Sequence, residues 1–395
     1  MAKLIDITGK ALSGEWGSDD ETGSGIPVLR TTNFTNEGVV NYENVVTRTI
    51  TKTGIDEKYL RPGDIILEKS GGSDKQPVGR VIYYDGPEKT YLFNNFTGLL
   101  RVKDVNRWWP RYVFYSLYAN YRKGGTREYE NKTTGLHNLK TDAYVSQYEV
   151  TDATYDQQKL ICERLDNITG IIRLRKQQLS ALDGLIKARF VEMFGDVSTG
   201  EFNYSTKKLG DVAGVGSSHR VFTSEFVETG IPFYRGTEIG ELANGEQPSD
   251  PYYISEEHYN RLANDETRPQ KGDILLPSIC NKGQVWMVDN DNPFYYKDGR
   301  VLSVRPNMDI FNPRYLQYFL KEKTLVEYPK MGSGSTFAEF KIFLLKDLDI
   351  ATPPKSLQDS FDLFAQQVDK SKVVVQKALD EAQILFDSLM QQYFG

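Results

Sequence analysis

The sequence predicts an α+β protein made of two similar globular α/β domains, each followed by a long α-helix. Three observations predict it. Short motifs recur in the same order about 200 residues apart, ending with "FVEMFG" at 190–195 and "MQQYFG" at 390–395. The stretches before these motifs are rich in strand-forming and turn-forming residues. The stretches that contain them carry apolar heptads, so we expect the two helices to pair as an antiparallel coiled coil with pseudo-twofold symmetry.

Five matches define the duplication. "LIDITG" (4–9) corresponds to "LGDVAG" (209–214), "GIPVLR" (25–30) to "GIPFYR" (230–235), "RPGDIIL" (61–67) to "PQKGDILL" (269–276) and "PRYVFYSL" (110–117) to "PRYLQYFL" (313–320), besides the closing pair. The offset between copies drifts by a few residues, which indicates small insertions between shared elements. We therefore predict globular domains over 1–153 and 197–354, and long helices over 154–196 and 355–395.

Apolar residues recur in alternating steps of four and three along both predicted helices. We expect these positions to form the helix–helix contact: Ile161, Leu165, Ile168, Ile172, Leu179, Leu182 and Ile186 in the first helix, and Val368, Val375, Leu379, Phe386 and Leu389 in the second. A heptad seam requires a partner helix, and forty residues at 1.5 Å rise make a rod of roughly 60 Å. The alternative is that each helix packs only on its own domain.

The composition is typical of a globular protein, with 39% apolar residues and a net charge of −6. No run approaches the ~18 apolar residues of a membrane span, and the N-terminus lacks the apolar core of a signal peptide. Cys162 and Cys280 are far apart and indicate neither a disulfide framework nor a zinc site. The three histidines are too scattered for a metal cluster. We expect a cytoplasmic protein with no metal site and no membrane association.

The motifs that resemble catalytic ones lack features that the corresponding chemistry requires. "DNPF" (291–294) has a single proline and no preceding glycine-rich cofactor loop, so a turn is expected there. Asp64, Glu68 and Lys69 loosely resemble a nuclease core, but adjacent strand residues point to opposite faces. The second copy has Pro277 in place of Glu68. No glycine loop of the dinucleotide or ATP type occurs, so we expect no catalytic residue in this chain.

Polar, glycine-rich loops occupy matching places in the two copies. They lie at 69–80 and 121–140 in the first copy, and at 277–284 and 330–341 in the second. Glycine lets a ligand approach the backbone closely, and the neighbouring Arg, Lys, Asn and Thr residues can bind phosphates or base edges. The residues differ between copies while the framework is shared, which is typical of two readers that recognise different sequences. The alternative is that they are ordinary solvated loops.

These motifs together resemble the specificity (S) subunit of type I restriction-modification systems, the HsdS family, along the whole chain. The resemblance rests on the openings at Leu4 and Leu209, the turns ending in Arg30 and Arg235, the paired Gly-Asp-Ile strands, the loops "TTGLHNLK" and "GSTFAEFK", and the two long helical blocks. It implies that each globular part is a target recognition domain that reads one half of a split site in double-stranded DNA.

The resemblance also implies partners. The helices would set the spacing between the half-sites and dock two modification (methyltransferase) subunits, and a separate restriction subunit would complete the complex. S-adenosylmethionine, ATP and Mg²⁺ would belong to those partner subunits, and this chain alone would be non-catalytic.

We expect DNA contacts from polar residues of the matching loops and turns. The candidates are Arg30, Lys69, Arg127, Thr134, His137 and Lys140 in the first copy, and Arg235, Ser278, Lys282, Ser335, Thr336 and Lys341 in the second. His219 and Arg220 are additional candidates. Glu339 is unfavourable near a phosphate but can accept a hydrogen bond from a cytosine amine.

Two other classes of function remain open. The acidic total charge is compatible with a protein-interaction scaffold of two β-rich modules on a coiled coil. A fused restriction endonuclease is the enzymatic alternative. Binding to random duplex DNA distinguishes a DNA-binding specificity subunit from a protein-interaction scaffold. Counterion release makes DNA affinity depend steeply on salt, so binding to DNA should weaken as the salt concentration rises.

Overall fold

The computed structural model describes residues 1–133, 136–263, 266–331 and 338–395. The chain divides into two compact units. Unit 1 comprises residues 1–176 and 377–395, and unit 2 comprises residues 177–376. Each unit therefore contains one sheet-rich part and a section of each long helix.

Unit 1 combines short strands with a central helix, as its β-branched and aromatic composition predicts. Its helices are α1 (Leu4–Thr8), α2 (Pro110–Arg122), α3 (Thr141–Gln147) and the first part of α4 (Tyr155–Phe194). Its strands are β1 (Ala2–Lys3), β2 (Leu12–Ser13), β3 (Ser18–Asp19), β4 (Ile26–Leu29), β5 (Val46–Thr49), β6 (Ile65–Glu68), β7 (Ser70–Gly72), β8 (Val81–Tyr83), β9 (Leu92–Phe93), β10 (Thr97–Leu100), β11 (Glu130–Thr133), β12 (Leu136–Leu139) and β13 (Glu149–Val150). Short 3-10 helices lie at Thr31–Asn33, Asp56–Lys58 and Arg127–Tyr129.

Unit 2 repeats this plan. Its strands are β14 (Gly195–Asp196), β15 (Glu201–Phe202), β16 (Thr206–Lys208), β17 (Ala213–Gly216), β18 (Phe226–Val227), β19 (Ile231–Tyr234), β20 (Tyr252–Ile254), β21 (Ile274–Pro277), β22 (Trp286–Met287), β23 (Tyr295–Tyr296), β24 (Val301–Pro306) and β25 (Asp349–Ala351). Its helices are α5 (Leu209–Val212), α6 (Gly236–Ala243), α7 (Glu256–Leu262), α8 (Pro313–Glu327), α9 (Ile342–Lys346) and the first part of α10 (Lys355–Phe394). Further 3-10 helices lie at Thr223–Glu225 and Tyr328–Met331.

Three sheets recur in the same strand order in both units. The order β2-β10-β6-β8 in unit 1 corresponds to β17-β24-β21-β22 in unit 2, β3-β5-β4-β9 to β18-β20-β19-β23, and β1-β13 to β16-β25. Even the parallel pairs match, because β4 pairs with β9 and β19 with β23 in parallel. Unit 1 has in addition the sheet β11-β12-β7. The duplication and the mixed helix-and-strand fold predicted from the motifs are confirmed.

The repeated Gly-Asp-Ile motif is a structural turn. Gly63 and Gly272 have φ of 97° and 93°, a backbone region that favours glycine, and each precedes a buried strand. The aspartate that follows each glycine is buried and ion-paired. Asp64 accepts two hydrogen bonds of 2.7 Å from Arg101, and Asp273 accepts bonds of 2.9 and 2.8 Å from an equivalent arginine.

The two long helices pack against each other in opposite directions within each unit. In unit 1 the core joins Leu165, near the start of α4, to Phe386, near the end of α10. In unit 2 it joins Ile186, near the end of α4, to Phe361, near the start of α10. Burying a side chain of this size contributes about 1.5–3 kcal/mol. The antiparallel pairing predicted from the heptads is therefore present in both units.

A buried glutamine ties the start of each long helix to its sheet-rich part. In unit 1, Gln158 is fully buried; its amide donates to the carbonyls of Arg107 (3.2 Å) and Ala153 (2.9 Å). Its side-chain oxygen accepts from the backbone N–H of Trp109 at 2.8 Å, just before α2 begins. The three bonds fix where α4 leaves the sheet-rich part.

Unit 2 repeats this clamp. Gln358 is fully buried and donates to the carbonyls of Ile310 and Pro353, both at 2.9 Å. Its oxygen accepts from the backbone N–H of Asn312 at 2.8 Å, just before α8. Because both clamps join equivalent places, each long helix starts in the same way from its sheet-rich part.

Candidate nucleic-acid interface

The end of the central strand β6 is bound on both sides by backbone hydrogen bonds. Lys69, the residue after β6, donates its N–H to the carbonyl of Phe96 at 2.8 Å and accepts from the N–H of Leu139 at 2.8 Å. Phe96 is the residue immediately before β10. The predicted DNA contact at Lys69 therefore lies where the ends of three segments meet.

Unit 2 has the same arrangement around the end of β21. Ser278 donates its N–H to the carbonyl of Arg300 at 2.9 Å and accepts from the N–H of Phe340 at 2.7 Å. Arg300 is the residue immediately before β24. Ser278 is thus the structural equivalent of Lys69, and Arg300 is the equivalent of Phe96.

The two predicted lysines at the ends of the second loops occupy the same position. Lys140 precedes α3 and Lys341 precedes α9, and each carbonyl accepts a bond of 3.0 Å from the N–H four residues later. Both side chains are exposed. The structure places them next to the strand ends described above.

Arg30 and Arg235 follow the equivalent strands β4 and β19, but their side chains differ in environment. The Nε atom of Arg30 is buried without a hydrogen bond to any described residue. Arg235 donates to Glu238 and to the carbonyl of Asp250, and stacks over the ring of Tyr252 at 4.2 Å. The hydrogen bonds to Glu238 raise the pKa of Arg235. Arg235 is therefore held in place by its own unit.

An open cleft of about 490 Å³ lies at the strand ends of unit 2. It brings together the predicted residues Arg235 and Ser278. Its other polar lining residues were not predicted: Thr237, Asn281, Gln284, Lys297 and Arg300. Lys282 is exposed beside it, with its N–H bonded to the side-chain oxygen of Gln284 at 3.0 Å. Donors of this kind can bind phosphates and base edges.

Glu339 is ion-paired with two cationic side chains beside this cleft. It forms ion pairs with Arg300 and with Lys341, the latter at 2.7 Å. The hydrogen bond from Lys341, with the charge of Arg300, lowers the pKa of Glu339. The carboxylate of Glu339, which was expected to be unfavourable near a phosphate, is therefore ionised and bridges the positive side chains of Arg300 and Lys341.

A cluster around Asp74 organises the polar loops of unit 1. Its carboxylate lies 2.7 Å from Lys132 Nζ and 3.6 Å from His137 Nε2, and its carbonyl accepts from Arg127 at 3.3 Å. The hydrogen bond from Lys132 lowers the pKa of Asp74. His137 is only 5% exposed, and its Nδ1 lies 3.1 Å from Glu130. The side chain of His137 is therefore buried inside this cluster, whereas Arg127 is exposed beside it.

The side chain of Lys69 is half-buried, with its Nζ donating to Ser13 Oγ at 3.2 Å. Burial lowers the pKa of Lys69. Three other predicted contacts, Thr134, Ser335 and Thr336, lie outside the described residues. His219 lies next to Ser218 and donates its backbone N–H to the hydroxyl of Tyr295 at 2.9 Å, and Arg220 stacks on Phe222 at 5.7 Å.

Sequence reasoning did not identify Phe96 and Arg300 as candidate site residues, although they occupy equivalent positions in the two copies. The signal was present in the repeat: "FTGLLRV" (96–102) and "RVLSVRP" (300–306) align without a gap and share the arginine that pairs with the Gly-Asp-Ile aspartate. A comparison of the copies at this strand would have aligned an aromatic residue in the first copy with an arginine in the second.

Most of the predicted helix-pairing residues lie in the two cores. Those that are buried are Leu165, Ile168, Ile172, Ile186, Val368, Val375 and Phe386. Those that are partly buried are Ile161, Leu179, Leu182, Leu379 and Leu389. At one seam position in unit 2 a lysine replaces the apolar residue: Lys372 Nζ lies 2.6 Å from Asp183 and joins the two helices by an ion pair.

The described residues form neither a metal-binding cluster nor a membrane-spanning helix. Within residues 1–133, 136–263, 266–331 and 338–395, no group of three or more His, Cys, Asp or Glu side chains is placed to hold a metal ion. None of the helices in those ranges is both long and apolar enough to cross a membrane.

Comparison with solved structures identifies the fold. A type I restriction-modification S subunit from M. genitalium matches 100% of this chain and 95% of its own length, with a TM-score of 0.53 and 15% identity. The chain has the fold of the type I specificity subunits. A second match, from a study of complex assembly and conformational transition in a type I restriction-modification system, has a TM-score of 0.55 and 15% identity, and covers 100% of this chain and 96% of its own.

A sequence relative agrees with the fold. A Haemophilus influenzae protein that carries the name of a type I restriction enzyme specificity subunit is 28% identical over 148 residues. The match covers 37% of this chain and 35% of that protein, so about a third of the relative's length is aligned. No protein-family model matches the chain. The predicted resemblance to type I specificity subunits is confirmed by both comparisons.

Proposed function

We propose that this chain is the DNA sequence-specificity subunit of a type I restriction-modification complex, in which each unit reads one half of a bipartite site. The observation that carries the proposal is the doubled fold. Three sheets recur in the same order in the two units, while the side chains at equivalent strand ends differ. A shared scaffold with different polar surfaces suits a protein that recognises two different half-sites.

Local charge supports DNA as the ligand despite the net charge of −6. In unit 2, Lys297, Arg300 and Lys341 lie at the cleft or beside it. In unit 1, Lys140 is exposed next to the matching strand end, and Arg127 is exposed beside Asp74. Phosphate contacts from such side chains position a protein on the duplex, and contacts to base edges supply specificity.

Exposed apolar residues on the long helices support docking of partner subunits. In unit 1, Leu174 and Ile384 are 60% and 70% exposed; in unit 2, Val373 and Val374 are both 69% exposed. The seam does not use these positions, so their exposed apolar side chains are available to a partner on the helix surface. We propose that two modification subunits dock on the helices and that a restriction subunit joins the complex. S-adenosylmethionine, ATP and Mg²⁺ then belong to those partners, and this chain is non-catalytic.

Mapping of methylated bases tests the proposal. A host with this chain and its modification subunits should carry a bipartite methylated motif that disappears when the chain is deleted. A host whose methylation is unchanged by the deletion would exclude the specificity role and leave the scaffold reading.

Duplex binding by the complex provides the second test. Arg127→Ala and Lys341→Ala should each weaken binding to all sequences and reduce the salt slope by about 1, because each removes one phosphate contact. Lys271→Ala, which removes an exposed cation at the opposite end of β21 from Ser278, is the matched control. Equal affinity in the variants and the control would remove Arg127 and Lys341 from the interface.

A further inference from the structure

Phe96 and Arg300 occupy one structural position in the two units. Each immediately precedes the equivalent strand, β10 or β24, and each carbonyl accepts the N–H of the residue after the central strand, at 2.8 and 2.9 Å. Five residues further on, Arg101 and Arg305 make the same ion pair with the Gly-Asp-Ile aspartate. The backbone at this point is thus equivalent, and only the side chain differs.

The side chain of Arg300 is presented at the cleft of unit 2. It is 53% exposed, and Glu339 holds its Nη1 group by an ion pair. A guanidinium has five N–H donors in a fixed plane. Among the described residues only Glu339 bonds this side chain, so the edge formed by Nε and Nη2 can take a second bidentate partner. Lys341 holds the opposite oxygen of Glu339 at 2.7 Å, which fixes the carboxylate. An arginine oriented in this way matches the O6 and N7 acceptors of guanine.

Phe96 presents a different surface at the same position in unit 1. It is 55% exposed, which is unusual for a large aromatic residue in a unit whose other phenylalanines are mostly buried. An apolar ring cannot read a guanine edge, but it can contact the C5-methyl group of thymine. The two units therefore carry opposite chemistries where their backbones coincide.

We propose that this position determines base specificity, with Arg300 reading a guanine in one half-site and Phe96 contacting a thymine methyl in the other. The inference rests on the proposed function and deepens it, since it assigns a base class to each unit. Asn281, Gln284 and Lys297 line the same cleft and supply the neighbouring polar contacts.

Methylation mapping in cells that express the full chain with its modification subunits tests Arg300. Arg300→Ala should reduce the preference for guanine at one position of one half-site by about 5- to 150-fold, and leave the other half-site unchanged. Arg300→Gln should shift that position toward adenine, because a glutamine amide matches the N6 and N7 groups of adenine. Glu339→Ala should loosen the same guanine preference, while Glu339→Gln, which keeps an acceptor, should retain most of it.

The matched control is Arg261→Ala, which removes another exposed arginine of unit 2 that is ion-paired with a glutamate. It should leave both half-sites unchanged. In unit 1, Phe96→Ala should relax a thymine preference, and Val105→Ala, at another exposed apolar residue, should not.

The outcomes separate the two proposals. If cells with the wild-type complex show no methylation that depends on this chain, the proposed function itself is overturned. A wild-type bipartite motif that persists unaltered in Arg300→Ala, Arg300→Gln and Phe96→Ala would overturn this inference alone. A change confined to one half-site in each variant would support it.

Discussion

The buried glutamine clamp of unit 2 gives the most direct test of how the long helix is attached. Gln358→Ala removes three hydrogen bonds: two to the carbonyls of Ile310 and Pro353, and one from the N–H of Asn312. At about 1 kcal/mol for each bond, the loss is about 3 kcal/mol, and the stranded N–H adds to it. For a unit of this size, 1 kcal/mol shifts Tm by roughly 2–4 °C, so we expect a decrease of about 6–12 °C.

Thermal unfolding of the full chain measures this effect, and hydrogen exchange at the amide of Asn312 localises it. Gln367→Ala, at an exposed position of the same helix, is the matched control. Gln358→Glu adds a pH test. Its carboxylate would face two carbonyls at neutral pH, whereas its protonated form can donate to one of them. Because burial raises the pKa of such a group, the destabilisation should shrink as pH falls. If Gln358→Ala unfolds at the same temperature as Gln367→Ala, the clamp does not hold the helix.

Three further predictions concern stability and reactivity. Leu165→Ala should destabilise unit 1 by about 2–5 kcal/mol in denaturant unfolding, whereas Leu174→Ala, at a 60% exposed position, should change it by less than about 0.5 kcal/mol; equal effects would contradict the helix seam. Cys162 and Cys280 should not react with a thiol reagent until the chain unfolds, because both are buried and burial raises the pKa of Cys280 to about 11; rapid native labelling would contradict their burial. A hydrogen bond from Thr47 and others from backbone N–H groups lower the pKa of Asp20 to about 2, so its stabilising effect is present above pH 3.8 and lost as pH falls toward 2; the stability difference between wild type and Asp20→Asn should narrow over that range.

The duplication and the helices could be predicted because their signals are local and repeated. A heptad records which face of a helix is buried, and the motif order records that one module occurs twice. The Gly-Asp-Ile match was visible as letters, but its role was not. That Asp64 and Asp273 pair with arginines more than thirty residues away depends on strand pairing that no short window contains.

The candidate interface was predicted only in outline. Loop composition indicated Arg127 and Lys341 as DNA contacts, and the structure leaves both side chains exposed. It also indicated His137, which the structure buries against Glu130. Composition cannot distinguish a polar side chain that faces solvent from one that satisfies a buried neighbour, because both occur in the same kinds of loops. Burial is a property of the packed neighbours and not of the residue type.

By itself, then, the sequence determined that one fold occurs twice and that two long helices pack against each other, because periodicity and repetition are encoded along the chain. Only the tertiary structure decided that Phe96 and Arg300 are exposed beside the ends of the central strands, and that the cleft beside Arg300 gathers residues from separate strands. The physical reason is that hydrogen bonds between strands bring together positions distant in the chain, and the side chains at those positions become neighbours only after the sheets have formed.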